Sequence, residues 1–294
     1  MIIEKSVVTK DLRINYAETP SHGPTLIMLH GIPGRWQEFL PIMPDLVLKY
    51  HLLALDLRGQ GKSGRTPGEY HASYYGKDIL SFLTYEFDEP VILFGMSAGG
   101  LAALDAAAQA PGKVKAVIVG DSPIDINLLK TWMKSEAFMD LFSSFRDLAG
   151  LEKPLEELSN DLAEILVNIP GEKEPIRYAD QPGVDALELR NFAKTLSMMD
   201  PGVLDYHAEG QADEYLAGFD LETMLPRITC PVLLIQGNPD LGGMMTDDSV
   251  EYALAMLPDA ISVLIEGSGH DLLMNNWKEQ SLLWAIFTFL DTLE

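Results

Sequence analysis

Val91-Ile92-Leu93-Phe94-Gly95-Met96-Ser97-Ala98-Gly99-Gly100-Leu101 is the stretch on which the reading of this chain turns. Four apolar residues lead into a G-x-S-x-G turn, and an alanine-rich run from Leu101 to Ala110 follows it. The pattern predicts a strand, a sharp turn with serine at its tip, and then a helix. Such a turn forces the serine backbone into a strained conformation that only small neighbours tolerate. Gly95 and Gly99 let strand and helix approach closely. Ser97 then stands clear of the sheet, at the positive end of a helix. Glycine and serine are common between strands and helices, so the motif acquires meaning only from its surroundings.

A serine hydroxyl is a poor nucleophile near neutral pH and requires a base. Of the six histidines, His270 sits where a base belongs: it follows the strand-like run Ile261 to Ile265 and lies just past Gly267-Ser268-Gly269. Imidazole suits the task because its ordinary pKa is near working pH. The third member of such a group is a carboxylate on a loop after a strand. Pro231 to Gln236 reads as that strand, and Gly237-Asn238-Pro239-Asp240 follows, so Asp240 is the expected acid. Asn-Pro-Asp is also good turn chemistry. Asp247 and Asp248 are rivals, although Thr246-Asp247-Asp248 has the look of a helix N-cap.

An oxyanion hole is the remaining requirement. Leu26-Ile27-Met28-Leu29 is a short apolar strand, and His30-Gly31-Ile32-Pro33-Gly34 bends away from it. The expected donors are the backbone N–H groups of Ile32 and of Ala98, just after the serine. His30 is expected to hold this bend by hydrogen bonding and to take no part in the chemistry.

These landmarks together resemble the α/β-hydrolase superfamily, in its esterase, lactonase and haloperoxidase-like branch. They run in that family's order: His30 to Gly34, Asp56-Leu57-Arg58-Gly59-Gln60-Gly61-Lys62-Ser63, the Ser97 turn, the Gly237 to Asp240 loop, and Gly269-His270. The order Ser97, Asp240, His270 matches the family's nucleophile, acid and histidine. One departure is visible, since Leu241-Gly242-Gly243-Met244-Met245 inserts flexible residues after the expected acid. The resemblance also implies a bracing role for Asp56 and Arg58. In some relatives the acid comes from the position of Asp121, where a polar turn residue before Ser122-Pro123 is the simpler account.

The rest of the chain carries the pattern of such a fold. Ile2 to Val8 and Leu12 to Ala17 alternate as strands do; Leu52 to Leu55 and Val114 to Val119 are apolar strands. Ser73 to Phe87 has helical spacing, with Ile79, Leu80, Leu83 and Phe87 on one side. Apolar strands alternating with helices predict an α/β fold whose mostly parallel sheet, eight-stranded in this family, is covered on both faces. Ligands of such sheets bind beyond the carboxyl ends of the strands. Ser97, Asp240, His270 and Ile32 all fall there.

Between Pro123 and Pro226 the strand-like runs vanish, and four or five helices broken at Pro154, Pro170, Pro175, Pro182 and Pro201 replace them. The expected plan is a core of residues 1–123 and 226–294 with a helical lid at 124–225. Met133, Met139, Met198, Met199 and Met224 read mainly as helical core. Trp36 and Trp132 are the pocket candidates, because large aromatic surfaces suit apolar substrates.

Composition sets outer limits. The 294 residues include 21 Lys and Arg against 44 Asp and Glu, a formal net charge of −23. That surface repels phosphate backbones and anionic membranes, and favours neutral or cationic ligands over polyanions. Cys230 stands alone, which rules out an internal disulfide and suits a buried small hydrophobe. Met1-Ile2-Ile3-Glu4-Lys5 lacks the regions of a secretory signal, so a cytoplasmic protein is expected. No histidine or cysteine cluster has metal-ligand spacing, and neither metal nor other cofactor is expected.

The expected activity is that of a serine hydrolase acting on a small-molecule carboxylic ester or lactone through an acyl-enzyme. No nucleic acid or membrane partner is expected, and a homodimer stays open. A carbon–carbon bond hydrolase and a cofactor-free perhydrolase are the alternatives on this scaffold. A hydrolase-like receptor that binds a small molecule without turnover is the alternative of a different kind.

Overall fold

The computed structural model describes residues 2–10, 12–169, 173–273 and 276–293, with residues 276–279 described by backbone alone. Met1 and Pro170, which enter the readings above, lie outside the described residues. Among the described residues ten strands appear in chain order: β1 Ile3–Val8, β2 Arg13–Glu18, β3 Thr25–Leu29, β4 His51–Leu55, β5 Val91–Met96, β6 Val114–Gly120, β7 Leu166–Val167, β8 Ile176–Arg177, β9 Val232–Gly237 and β10 Ala260–Ile265. Eight of them form one sheet in the order β1-β2-β4-β3-β5-β6-β9-β10. Both pairings of β2 are antiparallel, and every other neighbour pair in that sheet is parallel. The mostly parallel eight-stranded sheet is thus as expected.

Burial on both faces explains why the central strands read as unbroken apolar runs rather than alternating ones. Leu93 and Val117 face one core with Ile79, Phe82 and Leu83 of the helix Ala72–Glu86. Phe94 and Ile118 face the other, with Phe39, Leu46 and the helix Asn276–Leu290 through Leu282 and Ile286. The predicted helical face at 79 and 83 is buried, and Phe82 and Tyr75 join it.

The described residues of 124–225 contribute no strand to the main sheet. Four helices, Ile126–Met133, Glu136–Leu148, Leu155–Ala163 and Ala186–Ser197, dominate the segment, with shorter turns after them. One correction applies here: strands do not vanish from it, because β7 and β8 pair antiparallel as a separate ribbon. The segment has its own apolar cluster, including Phe145, Leu158, Leu196 and Met199, into which the buried ring of Tyr70 reaches from the other side. Tyr70 donates its hydroxyl to Asp200 Oδ2 at 2.7 Å, and the Asp200 N–H donates to Gly59 O at 2.7 Å. These ties hold the helices over the carboxyl ends of the strands. Among the described residues, no helix is long and apolar enough to cross a membrane.

Candidate active site

Ser97 links β5 directly to the helix Ala98–Gln109, with φ 52° and ψ −123°. A non-glycine residue with positive φ is costly and persists only where its surroundings over-determine it. Here the surroundings do so through missing side chains. A Cβ on Gly95 would lie 2.2 Å from Gly99 O, and one on Gly99 would lie 2.2 Å from Leu29 O. The Ser97 N–H donates to Gly120 O at 2.9 Å, and Ser97 O accepts from Ser122 Oγ at 2.7 Å. Its own hydroxyl has no hydrogen-bond partner among the described residues and stands open to a cavity.

His270 follows β10 and is half-buried. Its Nδ1 lies 2.7 Å from Asp121 Oδ2. The expected acid is therefore corrected: the carboxylate against the imidazole is Asp121, and Asp240 is not. Asp240 sits exposed in the short turn Pro239–Leu241, where its N–H donates to Asn238 Oδ1 at 2.9 Å. Its role is the turn chemistry that Asn-Pro-Asp also suggested. The two rivals go the same way. Asp247 accepts from Gln236 Nε2 at 2.8 Å, and Thr246 caps the helix Asp247–Met256 by accepting from Ser249 N–H.

The chain's own irregularities bring Asp121 to this place. It ends β6 in the left-handed region, φ 37°, and its N–H donates to Ile235 O on the neighbouring β9. Strand β9 lies between β6 and β10, so the Asp121 side chain must pass over the end of β9 to reach His270. Gly237 supplies the gap: a Cβ there would lie 3.1 Å from Asp121 Cγ and 2.2 Å from Gly269 O. The loop after β9 then wraps the carboxylate. Asp121 Oδ1 accepts from Gly237 and Met245 N–H at 3.0 and 3.1 Å, and Oδ2 from Met244 N–H at 2.7 Å. The inserted Leu241 to Met245 residues thus fold around a carboxylate carried at the end of another strand. A carboxylate held by three backbone donors and buried beside the imidazole can fix its tautomer and stabilise its charged form.

The bend after β3 lies against Ser97, where a Cβ on Gly31 would fall 3.0 Å from Ser97 Cβ. Among the described residues, neither the Ile32 nor the Ala98 N–H has a hydrogen-bond partner. Unpaired N–H groups beside a serine at a helix start can hold a developing negative charge. His30 is fully buried and braces the bend, donating from Nδ1 to Gly31 O at 2.7 Å and accepting the Leu57 N–H on Nε2 at 3.0 Å. Burial pushes its pKa below the usual range and keeps it neutral. Asp56 accepts from Trp36 N–H, Asn15 Nδ2 and Lys62 N–H, while Arg58 makes two bonds to Asp78 at 2.5 and 2.6 Å. Both brace the fold.

Ser97 and His270 share the wall of a cavity of about 930 Å³. The expected pocket tryptophans are not part of that wall. Trp36 is turned into the core beneath the sheet and donates its Nε1 to Glu4 Oε1 at 3.1 Å. Trp132 is half-buried on the helix Ile126–Met133, away from the cavity. A large aromatic surface did not place either ring in the pocket: the Trp36 indole is held in the core through Glu4, and Trp132 lies on a different helix from the one that lines the wall. Instead Arg35, Gln37 and Glu38 from the bend face Glu188, Asn191, Phe192 and Thr195 of the helix Ala186–Ser197. None of these was singled out from sequence. The available signal was an arginine next to Gly34 and an acid three residues on, just past the bend read as the oxyanion turn. His207, on the far side, is buried against Phe142 and Tyr215. Burial pushes its pKa down to about 4.

Burial raises the Glu38 carboxyl to about 8, partly offset by its hydrogen bond from Arg35 N–H and the nearby guanidinium. A carboxyl whose folded pKa lies above its unfolded value binds more protons folded than unfolded, so stability falls as pH rises from about 4.5 to about 8. Glu38→Gln removes that loss and keeps an acceptor for Arg35 N–H. Its melting temperature should exceed that of the wild type by a few degrees at about pH 8.5, with a much smaller gap near pH 5. A gap that is constant across this range would show that Glu38 titrates normally.

A family model described as the alpha/beta hydrolase fold matches residues 24–276. A 2-(acetamidomethylene)succinate hydrolase of Mesorhizobium japonicum is 25% identical over 291 residues, covering 98% of this chain and 95% of the relative. A pimeloyl-[acyl-carrier protein] methyl ester esterase of Chromobacterium violaceum is 25% identical over 279 residues, covering 94% and 98%. Among solved structures, that of an E-2-(acetamidomethylene)succinate hydrolase superposes with a TM-score of 0.76 at 22% identity, covering 99% of this chain and 100% of the other.

Proposed function

Starting from the premise that the chain belongs to the alpha/beta hydrolase family and is a hydrolase, we propose that it cleaves a carboxylic ester or lactone through an acyl-enzyme. The observation that carries this reading is the meeting, in one cavity, of a strained serine hydroxyl with an imidazole buttressed by Asp121. Ser97 Oγ attacks the carbonyl carbon as His270 takes its proton. Asp121 holds the imidazole and stabilises the imidazolium. The Ile32 and Ala98 N–H groups receive the oxyanion, and His270 returns the proton to the leaving oxygen. Water, deprotonated by the same imidazole, then releases the acid and restores Ser97. The methyl ester esterase relative supports a C–O bond as the one broken.

In the same reading residues 124–225 act as a lid over a core of 1–123 and 226–294. The lid's contribution is pocket shape and exclusion of water, with the reacting groups left in the core. Phe192 on the helix Ala186–Ser197 is the largest lid side chain on the cavity wall. Phe192→Ala should therefore shift the kcat/KM ratio of a long over a short p-nitrophenyl ester by about tenfold. Trp132→Ala, outside the wall, should leave the chain-length profile as it is.

A p-nitrophenyl ester series of increasing acyl length, with simple lactones, tests the function itself. Sustained turnover of many molecules per chain is expected. A single burst with no turnover afterwards would favour the receptor alternative, and no reaction with any of them would overturn the reading.

A further inference from the structure

Arg35 is the only lysine or arginine on the described wall of the cavity that holds Ser97 and His270. Its guanidinium is held from one side, where Nε donates to Thr195 Oγ1 at 3.0 Å. Thr195 is buried and its hydroxyl donates onward to Asn191 O at 3.2 Å, so the support is itself fixed. Among the described residues, neither Nη group has a hydrogen-bond or ion-pair partner. The nearby carboxyls are otherwise engaged or pressed toward their neutral forms. Asp185 caps the helix Ala186–Ser197 through the Leu187 and Glu188 N–H groups. Glu38 accepts from Arg35 N–H, and burial raises both it and Glu188. Asp56, whose charge acts on Arg35 most strongly, spends its oxygens on Trp36 N–H, Asn15 Nδ2 and Lys62 N–H and makes no ion-pair contact with it. An arginine stays charged in a protein, and a partly desolvated cation without a contact partner is costly. A planar anion from outside would relieve that cost with two parallel N–H···O bonds.

Resting on the acyl-hydrolase reading above, we propose that Arg35 is the seat for a carboxylate carried by the substrate, so that the enzyme acts on esters or lactones of dicarboxylic acids. The acyl carbonyl sits at Ser97 and the second carboxylate at the Nη edge of Arg35. Thr195 serves as a positioning residue that turns this edge to the cavity. The selectivity is local and runs against the chain's overall charge, which is −23.

The test uses Ser97→Ala protein, in which binding is read without turnover. Monomethyl esters of four- to six-carbon dicarboxylic acids and the matching dimethyl esters are titrated in by calorimetry at about pH 7. For the best-fitting length the monoanion should bind about ten- to a hundredfold more tightly than the neutral diester, the range expected of a charge-assisted hydrogen-bonded pair. Adding Arg35→Gln should bring that ratio close to one, and Arg35→Lys should retain part of it. Equal affinities, tighter binding of the diester, no detectable binding of the monoanion, or a ratio that survives Arg35→Gln would each overturn the proposal. The first comparison leaves Arg35 in place and so decides the matter even if the glutamine variant fails to fold. Failure of wild-type enzyme to turn over any ester would sink the acyl-hydrolase reading instead, whatever these affinities show.

Discussion

Ser97→Ala is expected to lower kcat/KM on any ester the wild type turns over by about 10⁴- to 10⁶-fold, the scale seen when a nucleophile is removed from such a group. The fold should be untouched. Ser97 Oγ bonds no described residue, and its backbone bonds run through the N–H and carbonyl, which alanine keeps. Alanine also pays the same penalty for φ 52° that serine pays, since both carry a Cβ. Circular dichroism and thermal melting should therefore superpose with the wild type while turnover disappears. Activity within about tenfold of the wild type would remove Ser97 from the chemistry.

Asp121→Asn is the second large effect, and the contrast with Asp240→Asn is what gives it force. Asp121 faces only donors: three backbone N–H groups and His270 Nδ1. An amide in its place must point N–H toward at least one of them. The imidazole then loses the partner that holds its proton on Nδ1, and a loss of about 10⁴-fold in kcat is expected, as for the equivalent change in a serine protease. Some stability should go too, because buried donors are left unpaired. Asp240→Asn and Asp247→Asn should each stay within about threefold of wild type, for Asp240 is exposed and Asp247 meets Gln236. A crippled Asp240→Asn enzyme beside an active Asp121→Asn one would return the acid to the loop after β9.

How far the site was legible in the sequence depends on how local each signal is. The Ser97 turn, the β3 bend and the histidine after β10 are each written in a few adjacent residues. Steric demands at 95 and 99 and an apolar strand ahead of each loop suffice to recognise them. The pairing of His270 with Asp121 is not local. It depends on β9 lying between β6 and β10, on Gly237 leaving room above the strand end, and on the 241–245 loop folding back. The departure at Leu241 to Met245 marked the place where the simple assignment failed, although not what would replace it.

The pocket was the least legible part. Trp36 and Arg35 are adjacent in sequence, yet one is core and the other lines the cavity. Trp36 donates its N–H to Asp56 and its indole to Glu4, which turns the ring under the sheet and its neighbour outward. The net charge of −23 likewise speaks for the surface and is silent about a single cation inside.

Sequence by itself determined the doubly covered, mostly parallel sheet, the sharp serine turn after β5 and the loops at the strand ends, because apolar periodicity and glycine sterics act within a few residues of one another. Tertiary structure alone decided which carboxylate meets the imidazole and which side chains shape the cavity. Those outcomes are set by contacts between residues more than a hundred positions apart, such as Asp121 with His270 and Arg35 with Thr195. Whether such pairs meet depends on strand order and on the space a neighbouring glycine leaves, which no local pattern encodes.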